Sequence, residues 1–459
     1  MTATKSKSER FDFILLCLFV LSQAFTVPLF AVGPSWAAWP TAGDIVVAAM
    51  IPIVAVRMYT GAGRIMSKAN KRILVLLLVL LAGCTCSYVI LCRAIPVLYP
   101  TETGRAAEFG EYQIYRIIQA VIAYFFASQI DLTPRRKRFL SFAAVTALVI
   151  VCAALFLEYL GIVPASTYAS HLPTSLSIAG PWGYYAAANL PEGYGTISYT
   201  HAYSSSQVLL LLVLCLLLNP KARNFTRAAL VLVAEAAILA SGCRAILGGS
   251  LVFLAALFIR RPRMLAAFAC IVLGVAALTA GFAPSAPELL RPALDRASAL
   301  NPFADIDVEG RTLLWSDQVQ YLNEQPLRWI IGAGFGTSAG DTGNDNILYL
   351  QIINETGVLG LAAFVLVFGE IFRLLERAGP NSRPMILGTV AILVASIAQE
   401  TLYPRGDPRN PMCDTELIAK FTGQAEPVLG KRAGPLAERI LRIDNEISVR
   451  GFVTALVEG

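Results

Sequence analysis

Residues 345–360 read Asp345-Asn346-Ile347-Leu348-Tyr349-Leu350-Gln351-Ile352-Ile353-Asn354-Glu355-Thr356-Gly357-Val358-Leu359-Gly360, and the apolar run they open continues to residue 372. A helix needs roughly 20 apolar residues to cross a bilayer core, so this stretch is long enough to span one. Asp345 and Asn346 stand where helix caps are favoured, because their side chains accept backbone N–H bonds at a helix start. Gln351, Asn354 and Glu355 fall on one helical face, and Glu355 lies roughly two turns into the run. An acid at that depth needs a partner, either a polar cavity in the bundle interior or a bond to a neighbouring helix.

The rest of the chain has the same character. Its 459 residues are 56% hydrophobic and 15% charged, with mean hydropathy +0.62, far more apolar than an ordinary soluble protein. Apolar runs near 12–32, 42–57, 73–95, 113–131, 139–161, 203–219, 226–242, 245–260, 264–283, 346–372 and 384–402 predict an all-α, polytopic membrane bundle of about eleven (10–12) transmembrane helices. Residues 1–402 form one transmembrane domain in this reading, and 403–459 a polar tail that Pro404, Pro408 and Pro411 set apart. Leu436, Ile440, Leu441 and Ile443 give the tail part of an amphipathic stripe. The first apolar run is full length and has no small-residue cleavage site, so it is expected to stay as a helix.

Orientation follows from Lys and Arg, which collect in cytoplasmic loops. Lys5, Lys7 and Arg10 precede the first run, and alternate loops carry Arg57, Arg64, Lys68, Lys71 and Arg72, then Arg135-Arg136-Lys137-Arg138, then Lys221, Arg223 and Arg227, then Arg260, Arg261 and Arg263. The N-terminus is therefore expected in the cytoplasm and the two large loops, near 162–202 and 284–345, outside. Topology accounts for the net charge of +6, so no nucleic-acid partner is inferred. The nine cysteines lack metal-ligand or framework spacing and read as small apolar fillers. Cys84 and Cys86 lie on different faces of one predicted helix, which argues against a shared metal site.

Arg244 ends Leu239-Ala240-Ser241-Gly242-Cys243-Arg244, a turn between two apolar runs on the outer side. A guanidinium there either clamps a diphosphate through several donors in a fixed fork or snorkels to lipid headgroups. Arg311 opens Arg311-Thr312-Leu313-Leu314-Trp315, whose i, i+4 spacing suggests one helical turn with an arginine above an aromatic face. Gly332-Ala333-Gly334-Phe335-Gly336 follows. With no preceding strand and no Lys-Ser/Thr after it, this is turn chemistry rather than a phosphate loop. Asp305-Ile306-Asp307 has a metal-binding spacing, but with Glu309 beside it reads first as a solvated acidic turn. The two histidines, His171 and His201, share an outer loop with Trp182 and several tyrosines, either a stacking platform for sugars or an interfacial aromatic belt.

Taken in order, Arg311-x-x-x-Trp315, the Gly332–Gly336 turn, the Asp345-Asn346 pair and Glu355-x-Gly357-x-x-Gly360 resemble the C-terminal signature of the O-antigen ligase and polymerase superfamily. Ser241-Gly242-Cys243-Arg244 resembles a second element, and Thr196-Ile197-Ser198-Tyr199-Thr200-His201 faintly a third. The resemblance implies a membrane glycosyltransferase of the cell envelope with neither metal nor other cofactor. It would work in the bacterial inner membrane on a polyprenyl-diphosphate-linked oligosaccharide, in some systems beside a chain-length regulator. It implies that Arg244 and Arg311 contact diphosphate and that Asp345 serves as base or orients the acceptor. Trp315, Asn346 and His201 become substrate contacts, with His201 the backup base. The ligase branch has histidine where this chain has Asp345, which favours a polymerase, lengthening lipid-linked chains, over a ligase that moves glycan to lipid A or protein. A transporter of lipid-linked sugars is the alternative of another class, although no repeated halves are visible.

Cysteine-accessibility labelling tests the orientation: a cysteine at position 325 is expected to label from outside and one at position 65 from inside. The reverse pattern would put the motifs on the wrong side for glycans delivered across the membrane.

Overall fold

The computed structural model describes residues 2–30, 40–60, 66–89, 103–160, 162–163, 195–197, 201–220, 224–259, 311–336 and 348–396. Among the described residues the secondary structure is helical and no strand occurs. In chain order the helices are α1 (Thr2–Ser22), α2 (Ala42–Thr60), α3 (Lys68–Ser87), α4 (Thr103–Ser128), α5 (Pro134–Tyr159), α6 (His201–Leu218), α7 (Asn224–Ser241), α8 (Arg244–Phe258), α9 (Arg311–Glu324), α10 (Leu327–Ile331), α11 (Leu348–Arg377) and α12 (Arg383–Ala395). All of them belong to the unit Met1–Asp407; the tail unit, Pro408–Gly459, lies outside the described residues.

Four described helices, α2, α3, α5 and α11, are long and apolar enough to cross a membrane, and Tyr203–Leu218 and Ala245–Phe258 are shorter apolar helices. The expected spans near 113–131, 226–242 and 384–402 coincide with α4, α7 and α12, which are helical without meeting that standard. The run 264–283 lies outside the described residues. The first helix differs from expectation, because α1 ends at Ser22 rather than near residue 32. Beyond it, the Thr26 and Val27 N–H groups donate to the Thr196 carbonyl at 3.1 and 3.4 Å, and Pro28 has no N–H to continue a helical ladder.

Local chemistry sets several starts. Ser67 caps α3 by accepting from the Asn70 N–H at 3.1 Å. Thr133 does the same for Arg136 at 3.3 Å, with Pro134 at the first helical position, where its missing N–H costs nothing.

The core gathers α5, α6, α7, α8 and α12, with α1 and α2 against them. Small residues let the backbones approach: Ala144, Ala147, Ala234, Ala237, Ala391 and Ala395 are all buried in this core. Close packing of this kind is what holds helices together in lipid, where apolar burial gives no extra drive. At the α8–α12 crossing, a Cβ added to Gly249 would stand 2.9 Å from the Ala391 carbonyl oxygen. α2, α3 and α11 turn much of their length outward, exposing Val56, Leu78, Val79, Val365 and Leu366 among others.

The ends that carry Lys and Arg come together, with α5 running parallel and α2 antiparallel to α1. Arg136 pairs with Glu9 at 3.4 Å and Arg57 with Asp12, while the Arg57 guanidinium sits 5.8 Å over the Phe126 ring. Arg383 donates to the Ala256 carbonyl at 2.7 Å. Near the other end of α2, buried Asp44 accepts from Arg116 of the middle of α4 at 2.5 Å, from the Thr41 hydroxyl at 3.0 Å and from the Gln119 amide.

The packing argument predicts that Gly249→Leu lowers stability by about 1–3 kcal/mol, the usual cost of overpacking. Gly248→Leu, whose Cβ would meet nothing within 4 Å, is expected to be near neutral. Unfolding of the purified variants in detergent measures both, and equal effects would discount the α8–α12 approach.

Candidate functional site

The stretch between Arg311 and Gly336, expected as an outer loop, contains two helices. Arg311 is the first residue of α9 and Trp315 lies one turn later; the Arg311 side chain is outside the described residues. One turn past Trp315, fully buried Gln318 accepts from the Asn354 amide of α11 through its Oε1. α9 is thus tied to the face of α11 that carries the polar residues.

The glycine turn completes the junction. Gly332 closes α10 by donating to the Arg328 carbonyl at 2.8 Å, and Ala333 then donates to the Asn354 carbonyl at 2.6 Å. Gly332 has φ 79° and Gly357 has φ 69°, both in the left-handed region open to glycine. A Cβ on Gly332 would overlap the Glu355–Thr356 peptide, and one on Gly357 would overlap the Ile330 carbonyl. Two backbones therefore cross with no side chain between them, and Gly357 breaks the helical geometry inside α11. Thr356 covers part of the break, its hydroxyl donating to the Ile352 carbonyl at 2.8 Å.

From this crossing Phe335 enters a pocket formed with Cys84 and Tyr88 of the α3 end, lined also by Leu80, Ile114 and Ile117. Gly110 of α4 makes room there, since its Cβ would stand 2.5 Å from the Phe335 carbonyl oxygen. The Tyr88 hydroxyl donates to Glu111 at 2.8 Å, and Ser87 donates to the Glu355 carbonyl at 2.8 Å. Arg328, largely buried, lies 3.9 Å over the Tyr321 ring and donates to the Tyr321 carbonyl at 2.7 Å and to Glu324 at 3.2 Å. These bonds hold α10 against the end of α9.

The result is a buried node of amides around one acid. Gln351 donates to Glu355 Oε1 at 3.3 Å, and both side chains are buried with Asn354 and Gln318. Among the described residues Gln318 Nε2 and Gln351 Oε1 have no hydrogen-bond partner, which gives the node a donor and an acceptor to offer. A sugar hydroxyl, which both donates and accepts, has the matching chemistry.

The other sequence candidates are placed less fully. Arg244 begins α8 directly after the Ser241–Cys243 turn, where the Ser241 hydroxyl accepts from the Cys243 N–H at 3.4 Å; its side chain lies outside the described residues. His201 begins α6, its side chain likewise outside. Asp345, Asn346, His171, Asp305 and Asp307 lie outside altogether. α8 packs on α6, α7 and α12, whereas α9 packs on α10 and α11, so the described contacts give the two arginine-bearing helices different neighbours. Among the described residues no group of three or more His, Cys, Asp or Glu gathers in a way that could hold a metal ion.

Sequence reasoning singled out Gln351, Asn354 and Glu355 by their shared face but passed over Gln318 and Ser87. Gln318 had a signal, lying on the Trp315 face at i+3; Ser87, at the end of an apolar helix, had none. No protein-family model, no characterised protein and no solved structure matches this chain.

The Gln318–Asn354 bond is testable in isolation. Gln318→Leu and Asn354→Leu are each expected to cost about 1–3 kcal/mol, because each strands a buried amide, and the double variant to cost less than their sum. Strictly additive losses on unfolding in detergent would show that the two side chains act separately.

Proposed function

We propose that the chain is a cell-surface polysaccharide polymerase of the bacterial inner membrane, with a cytoplasmic N-terminus. It transfers glycan from a polyprenyl-diphosphate donor to the end of another lipid-linked chain at the outer face. The observation that supports this reading is the junction of α9, the glycine turn and α11. Segments that resemble a ligase and polymerase signature, though far apart in sequence, meet there through Gln318–Asn354, Ala333–Asn354 and the Gly332–Gly357 crossing.

In the proposed reaction an acceptor hydroxyl attacks the anomeric carbon of the donor sugar. The new glycosidic bond forms as the bond to the diphosphate oxygen breaks, with inversion, and the hydroxyl proton passes to the Asp345 carboxylate. Polyprenyl diphosphate leaves with its growing charge held by Arg244 and Arg311, the task a metal ion performs elsewhere. Trp315, Asn346 and His201 contact the glycan. A second reading, a transporter of lipid-linked sugars, draws on one feature: the break at Gly357 makes α11 a discontinuous helix with buried polar residues at its head.

Purified chain given lipid-linked repeat units decides among these. Arg244→Ala and Arg311→Ala are expected to abolish lengthening, and the lysine variants to restore little, because the bidentate fork is lost. Asp345→Asn keeps a capping side chain but removes the base, and should slow transfer roughly 100-fold or more. Full activity of both alanine variants, or strict dependence on a divalent cation, would overturn the arginine mechanism. Transfer only to an added lipid or protein acceptor means a ligase; movement across the bilayer with no new glycosidic bond means a transporter.

A further inference from the structure

At the Lys/Arg-rich end of the α3–α11 pair, far along both helices from the polar node, lies an open cleft of about 520 Å³. Its walls are apolar, Val75 and Leu76 from α3 with Val365 and Leu366 from α11, and its mouth carries Lys71, Arg72, Glu370 and Arg373. Arg373 donates to Glu370 at 2.6 Å, which neutralises the acid within the cleft. No ion pair of the described residues involves Lys71 or Arg72, so the mouth keeps an uncompensated positive charge. Gly369 lines the cleft, and a Cβ added there would meet nothing within 4 Å, so the space beside it is open. Val75, Val365 and Leu366 are exposed, and these apolar walls run directly up to the cations.

We propose that this cleft binds an anionic phospholipid of the cytoplasmic leaflet. The phosphodiester and any acidic headgroup sit on Lys71, Arg72 and Arg373, and an acyl chain lies along Val75, Val365 and Leu366 over Gly369. Three features select this occupant. The volume falls in the range of small-molecule sites, the cations suit a phosphate, and the positive-inside distribution puts this mouth at the headgroup level of the leaflet where anionic lipids meet basic residues. A soluble anion would have no use for the apolar walls, and a zwitterionic lipid would leave the spare charge unanswered. The inference needs the chain to lie in a membrane but does not rest on the transferase reading.

The test is native mass spectrometry of the purified full chain titrated with phosphatidylglycerol, with phosphatidylcholine and inorganic phosphate in parallel arms. Phosphatidylglycerol adducts are expected to persist several-fold over phosphatidylcholine. Lys71→Gln with Arg72→Gln should reduce them about tenfold, a loss of roughly 1.4 kcal/mol. Gly369→Leu keeps every charge but fills the cleft and should reduce them comparably; Val365→Trp is the second filling variant. Arg135→Gln with Lys137→Gln, on another basic loop, should leave them unchanged. Every variant is first required to match the parent in elution profile and unfolding temperature. Equal loss from the Arg135/Lys137 control, or full binding by both filling variants, would reduce the effect to diffuse surface charge and overturn the site. Retention of phosphate without lipid preference would overturn it as well.

Discussion

The crossing of two backbones at Gly332 and Gly357 is the constraint on which one end of the molecule depends. Glycine at both positions allows the α10 turn to lie directly on the break in α11. Once the crossing is made, the Ala333 N–H reaches the Asn354 carbonyl, and Phe335 is aimed into its pocket by Cys84 and Tyr88. Asn354 is presented to Gln318, and through it α9 is fastened. A side chain at either glycine would hold the turn off the helix and dissolve this set of contacts together. The break also frees backbone groups inside an apolar helix, a state tolerated in lipid only where protein re-satisfies them. The Ala333, Ser87 and Thr356 bonds do so.

Elsewhere the solvent explains the architecture. In lipid the attraction between helices comes from close fit, so buried alanines of α5, α7 and α12 interleave with buried Leu148, Leu209, Leu212 and Phe253, while other large apolar side chains such as Val56 and Leu366 face outward. Two buried carboxylates are matched by cations: Asp44 by Arg116, with Thr41 and Gln119 beside it, and Asp12 by Arg57. Each arrangement costs desolvation but would cost more with one partner removed.

Run length alone made α2, α3, α5 and α11 legible, because twenty apolar residues in succession have few other uses. The starts of α3 and α5 were not: Ser67 and Thr133 cap helices that begin at Lys68 and Pro134, ahead of the apolar runs expected near 73 and 139, because the first turns are basic rather than apolar. Nor was the end of α1, where Thr196 takes over the ladder. α9 was nearly invisible: its Arg-Thr-Leu-Leu-Trp-Ser-Asp-Gln pattern lacks the length and apolarity that announce a span, and only the Arg311–Trp315 spacing hinted at a turn of helix. Of the candidate site, the shared face of Gln351, Asn354 and Glu355 followed from periodicity. The partners did not, since Gln318 is separated from Asn354 by 36 residues and Ser87 from Glu355 by 268. The glycines could be seen, but not that two of them would meet. That fact depends on φ and on approach, and neither is written in local sequence.

The α3–α11 pair carries the polar node at one end and the basic cleft at the other. Twelve residues separate Gly357 from Gly369, about 18 Å of helix. Whether a ligand in the cleft is felt at the node depends on differential contacts between two states, not on proximity along one helix. Here the head of α11 is held on three sides, by Ala333, Gln318 and Ser87, whereas the segment beyond Gly357 is held chiefly by α3 and faces outward along Val358, Leu359, Val365 and Leu366. The break at Gly357 therefore divides α11 into a segment fixed by backbone and amide bonds and a segment packed mainly through side chains. The glycine that brings the motif segments together thus interrupts α11 between the two ends of the pair, while α3 runs from the cleft to the Ser87–Glu355 bond without a break.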